Sequence, residues 1–80
     1  MEPDWDEIAE RMMRLTVRQL KPVRWWFNGC LGGASTKSEV VRQMVSQMRH
    51  WWHEDPYYGM APRQRVANVL RDLKEAETKR

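Results

Sequence analysis

Gly29, Gly32 and Gly33 place three glycines within five residues of a chain otherwise rich in helix formers. Each would cost a helix about 1 kcal/mol relative to alanine, so residues 28–34 cannot continue one. A helix start lies on either side. Thr16 stands three residues before Gln19, and Thr36 three residues before Glu39. Both pairs fit the reciprocal capping box, in which the hydroxyl takes the N3 amide and the Gln or Glu side chain reaches back. Residues 15–52 are therefore expected to form helix, extended glycine loop, helix.

The remaining elements follow from periodicity. Asp4 is placed to cap a first helix over residues 5–14, with Trp5, Ile8, Ala9, Met12 and Met13 on one buried stripe. Asp6 and Glu7 open this helix and Arg11 and Arg14 close it, as the helix dipole favours. A second helix is expected over 17–27, with Val17, Leu20, Val23 and Phe27 sharing a face. Pro22 interrupts it and should kink or split it, with Lys21 driven toward extended geometry. Of Trp25 and Trp26, about 100° apart on a helix, one packs and the other stays partly exposed. A third helix spans 37–53. Val41, Met44, Val45, Met48 and Trp52 form its apolar arc, with Val40 and Trp51 at the edge. After a turn at Glu54–Gly59, Pro62 suits the first position of a fourth helix over 62–76. Val66, Val69, Leu70 and Leu73 form its buried face, and the charged tail from Lys74 is expected to fray.

Eighty residues make one domain, with a small core. The expected fold class is all-α, a compact four-helix domain. Five Trp, six Met, two Tyr and one Phe supply large area per residue, for a core or for a binding surface. A net charge of +3 permits contact with phosphate or with an acidic protein face. A single cysteine excludes an internal disulfide and suits a reducing compartment. The acidic N-terminus lacks the apolar core of a secretory signal. No apolar run approaches the roughly 20 residues of a membrane span. A soluble, cytoplasmic protein is expected.

No catalytic constellation emerges. Ser35, Ser38 and Ser46 lack a nucleophile elbow. The glycine stretch lacks the strand and the Gly-Lys-Ser/Thr ending of a phosphate loop. The chain is read as a non-enzyme. One metal set is conceivable: Cys30, His50 and His53, completed by Glu54 or Asp55, would give zinc one thiolate, two imidazoles and one carboxylate. His50 and His53 are three apart on one helix, so their rings can converge. With no second cysteine, the plainer reading leaves both histidines solvated, Cys30 a small loop hydrophobe, and no cofactor.

The phrases Leu15-Thr16-Val17 and Leu20-Lys21, the glycine loop, and then Thr36-Lys37-Ser38-Glu39-Val40-Val41 resemble the SAP-like family of helix–extended loop–helix DNA-binding modules. The likeness covers residues from about 15 to 48. Its loop is slightly longer than the family pattern, and Pro22 lies inside its first helix. The resemblance implies that Lys21, Arg24 and Lys37, with the loop amides, would lie against a DNA backbone. The residues themselves extend this basic set to Arg18, Arg42 and Arg49. The expected partner is nucleic acid or a nucleoprotein, met through phosphates.

A second reading is a protein-binding surface. Trp25, Trp51, Tyr57 and Tyr58 exceed what so small a core must bury, and exposed aromatics beside Arg mark interface hot spots. Against this, Trp25 and Trp51 would simply roof a thin core. In size, lack of catalysis and aromatic excess the chain is also similar to the small phage anti-CRISPR proteins. That likeness implies an inhibitor, carried by a phage or mobile element, that binds a host nuclease.

Overall fold

Asp4 starts the first helix, its Oδ1 accepting the Glu7 amide hydrogen at 3.1 Å. A computed structural model describes residues 2–29, 31–54 and 62–79. Among them are four α-helices and no strand: α1 Trp5–Met13, α2 Lys21–Arg24, α3 Lys37–His53 and α4 Pro62–Thr78. A 3-10 turn, Trp25–Phe27, continues α2. The fold is the all-α, four-helix class that the periodicity implies.

The helix α3 is the spine. It packs against α1 on one side and α4 on another, while α2 leans chiefly on α4. Val40, Val41, Met44, Met48 and Trp51 of α3 are buried, together with Ile8 and Met12 of α1 and Val66, Val69 and Leu73 of α4. Leu15, Leu20, Val23 and Phe27 close the core from the segment between α1 and the glycine loop. Among the described residues this interior holds no polar or charged residue. Its cohesion therefore comes from apolar burial, worth about 25 cal/mol per Å² removed from water.

The second helix differs most from expectation. The Thr16–Gln19 capping box forms in full: Oγ1 of Thr16 accepts the Gln19 amide at 3.1 Å, and the Gln19 side chain accepts the Thr16 amide at 2.9 Å. It caps only a turn, however. The helix proper begins at Lys21, with Pro22 in its first turn. There the missing N–H has no helical partner to lose, so proline starts this helix instead of breaking one. Lys21 is accordingly helical, not extended. Val17 falls outside the buried face, at 60% exposure.

Four smaller differences follow. Met13 leaves the buried stripe of α1 and is 41% exposed. Val40 and Trp51, placed at the edge of the α3 arc, lie in the core instead. Thr36 caps α3 by accepting the Glu39 amide at 3.2 Å, but Glu39 reaches back to the Ser35 amide at 3.3 Å, not to Thr36. The tail does not fray where its charge suggests, because α4 runs to Thr78 and Ala76 is buried. Arg11 of α1 ties this end down with paired hydrogen bonds to Glu77, at 2.5 and 3.1 Å.

The turn after α3 lies largely outside the described residues, but its two ends are fixed. The Arg63 guanidinium sits 4.5 Å from the Trp52 ring centroid and donates to the Trp52 carbonyl at 3.4 Å. Arg65 sits 4.9 Å from the ring of Trp51. Two cation–π contacts therefore join the start of α4 to the end of α3.

Candidate nucleic-acid interface

Between Arg11 and Ser38 the chain carries six cations and no carboxylate, although its total net charge is only +3. The remainder is therefore net acidic, and positive charge is concentrated in the segment that joins α1 to α3. That asymmetry is readable in the sequence. A residue-by-residue search for basic spacings misses it.

The fold sorts these six cations. Arg11 is committed to Glu77, and Arg14 lies 3.9 Å from Glu10 on its own helix. The Arg11 hydrogen bond is the main cause that holds the Glu77 carboxyl below its ordinary range. Burial opposes it, and the charges of Arg11 and Arg14 add to it. Lys37, expected against phosphate, has an internal role. Its Nζ donates to the Met13 carbonyl at 2.9 Å and to the Leu15 carbonyl at 3.0 Å. These oxygens lie at the C-terminal end of α1, where a helix leaves carbonyls without partners and favours a cation. Lys37 thus joins the start of α3 to the end of α1.

Arg18 and Arg24 are separated by the turn between them. Arg18 lines a groove with Pro22, with Asp72 and Glu75 of α4 and with Lys79 just beyond it, a mixed and nearly balanced surface. Arg24 lines a different groove, with Val17, Leu20, Lys37 and Val40. Lys21 lies between them, exposed. Among the described residues neither Lys21 nor Arg24 makes an ion pair.

The two cations of α3 stand apart. Arg42 lines a third groove between α1 and α3, with Trp5, Asp6, Ala9 and Met13. Arg49 is exposed further along the helix. The six basic residues singled out by spacing are therefore not one patch; Lys21 and Arg24 are the exposed pair that shares one short helix.

The aromatic set divides as well. Trp51, expected at a binding surface, is 4% exposed and stacks on Phe27 at 5.1 Å with 12° between the planes. A ring sandwiched in this way roofs nothing and cannot meet a partner. Trp25 is 63% exposed. Trp26 is half-buried, and its Nε1 donates to Asp72 Oδ2 at 2.6 Å. Tyr57 and Tyr58 lie outside the described residues.

The conceivable zinc set does not assemble among the described residues, where no group of three or more ligating side chains occurs. His50 Nε2 faces Glu54 at 3.2 Å, and His53 Nε2 faces Glu2 at 2.6 Å, so the two imidazoles address different carboxylates. Cys30 and Asp55 lie outside the described residues. Among the same residues, no helix is long and apolar enough to cross a membrane.

Comparison of the chain with protein-family models, with curated proteins and with solved structures found no match.

Proposed function

We propose that this chain is a non-enzymatic binding module that contacts nucleic acid, bare or within a nucleoprotein, through the exposed turn that carries Lys21 and Arg24. One observation carries the reading. Both cations stand exposed and without an ion pair among the described residues, inside a stretch that holds no carboxylate. Arg18 extends the positive surface on one side and Lys37 on the other, although the latter also serves the α1 terminus. The likeness to SAP-like modules points to the same segment and to the same ligand chemistry. Cytoplasmic nucleic acid is the natural setting, since a lone thiol stays reduced there.

Phosphate contacts of this kind release counterions, so affinity falls steeply with salt. The test is fluorescence anisotropy of labelled duplex and single-stranded DNA at low and physiological salt. Wild type should bind, and Lys21→Gln with Arg24→Gln should weaken binding and flatten the salt slope by about two. Absence of binding at low salt would retire the reading.

A second reading is favoured by one specific feature, the 63% exposure of Trp25 beside Arg24. Tryptophan next to arginine is the composition of a protein-interface hot spot. In that reading the chain is an inhibitor of the anti-CRISPR kind, which would occlude a host nuclease. Trp25→Ala would then abolish capture of that protein, whereas Lys21→Gln would spare it.

A further inference from the structure

We infer that Trp25 is a stacking platform for an unpaired base, so that the nucleic acid this turn takes is single-stranded; the inference rests on the reading just given. The Trp25 amide donates to the Lys21 carbonyl, so the two residues are one helical turn apart. Side chains four apart share a face, which sets the exposed indole beside an exposed ammonium. Arg24 flanks the same ring in sequence and is likewise exposed. One aromatic face and two cations thus occupy a single turn.

The ring is held in place and is not a loose surface side chain. Trp25 meets Trp26 edge to face, with centroids 5.2 Å apart and 84° between planes. Trp26 is itself moored to α4 through Asp72. On the following residue, Phe27 is wholly buried and stacked on Trp51. The backbone under Trp25 is therefore fixed from the core side, and little ordering remains to be done when a base arrives.

This arrangement suits a single strand better than a duplex. In a duplex the base faces are already stacked on one another, so an indole finds no partner there. The α2 helix that carries the cations has only four residues, about 6 Å, too short to serve as a major-groove recognition helix. An unpaired strand offers a base face and a phosphate in every nucleotide. Stacking on an aromatic side chain tolerates any base, and neighbouring cations track the backbone. Trp25 would take the base, while Lys21 and Arg24 take the flanking phosphates.

The experiment titrates the whole chain with four labelled probes: a short single-stranded DNA, the RNA of the same sequence, the DNA strand annealed to its complement, and an abasic strand of equal length. A single strand should bind at least about tenfold more tightly than the duplex, and the better of DNA and RNA names the source. Trp25→Ala should weaken the base-bearing strand by about five- to a hundredfold, with Trp25→Phe retaining most of the affinity. Neither should change binding of the abasic strand, whereas Arg24→Gln should weaken every probe. Both Trp25 variants should keep the wild-type melting temperature, because the ring is exposed. Equal binding of duplex and single strand, with Trp25→Ala neutral and Arg24→Gln harmful, would overturn the platform and leave the backbone reading standing. Absence of binding to all four probes at low salt would overturn both. A leucine-containing acidic peptide that binds wild type and is lost with Trp25→Ala, where the strand is not, would assign the ring to a protein instead.

Discussion

In the last turn of α3 Trp51 is buried and Trp52 half-buried, whereas in the doublet Trp25–Trp26 one ring is exposed and the other half-buried. The first pair is surrounded. Phe27 stacks on Trp51, Trp5 meets Trp52 edge to face at 6.3 Å, and Arg65 and Arg63 lie over the two rings. The second pair has one anchor, the hydrogen bond from Trp26 to Asp72, and that anchor leaves the neighbouring ring outside. Two successive helical residues point about 100° apart, so a doublet can bury both rings only where other elements cover two directions. At the end of α3, the 3-10 turn covers Trp51, and α1 and α4 flank Trp52 closely enough to leave it half-buried. At the end of α2, Asp72 of α4 anchors Trp26 and Trp25 stays exposed. The ring left over, Trp25, is exposed in the same turn as Lys21 and Arg24, and that makes it a candidate for binding.

Breaking the first doublet should have the largest effect. Trp51→Ala empties a core position and should destabilise the fold by about 3–5 kcal/mol in urea unfolding. Trp25→Ala should stay within about 0.5 kcal/mol of wild type in the same assay. Equal losses would erase the contrast.

Within the second doublet, Trp26→Phe removes the donor to a carboxylate and should cost about 2 kcal/mol, read from the same unfolding curves. It should also loosen Trp25, seen as easier quenching of its fluorescence by acrylamide.

A comparable contrast separates two lysines. Lys37→Met strips the α1 end of two hydrogen bonds and should cost about 1–2 kcal/mol. Lys21→Met should change stability little and weaken nucleic-acid binding instead. If Lys37→Met melted like wild type, its bonds to Met13 and Leu15 would have no energetic weight.

The smallest effect concerns the far end of α4. The Glu77 carboxyl is lowered in the folded state, below the roughly 4.3 of an unfolded glutamate. Its contribution is therefore fully present above that value and is lost as pH falls through the folded one. Glu77→Gln should cost about 1 kcal/mol or less at neutral pH, since the pair is partly solvated. The difference from wild type should disappear in acid.

Much of the fold was legible because it is local. The Asp4 cap, the bounds of α3 and the apolar face of α4 follow from spacing alone. The second helix was less legible, because a proline reads as a breaker or a starter depending on where the preceding turn ends. The burial of Trp51 and the internal hydrogen bonds of Lys37 escape the sequence for another reason. Their partners lie far away in the chain, Phe27 for the ring and the α1 carbonyls for the ammonium. The basic residues of the candidate site could be picked out by type, but which of them other groups engage is a tertiary fact. The absence of Asp and Glu between Arg11 and Ser38 is the compositional signal for the candidate segment.

The most direct test uses the five tryptophan indoles as reporters. Their Nε1–H resonances can be followed in a proton–nitrogen correlation spectrum while a short single-stranded oligonucleotide is added. The Trp25 signal should shift or broaden first, together with the amides of Lys21 and Arg24, while Trp51 and Trp52 stay in place. Shifts centred on the Trp51–Trp52 end, with Trp25 unmoved at saturation, would contradict the account.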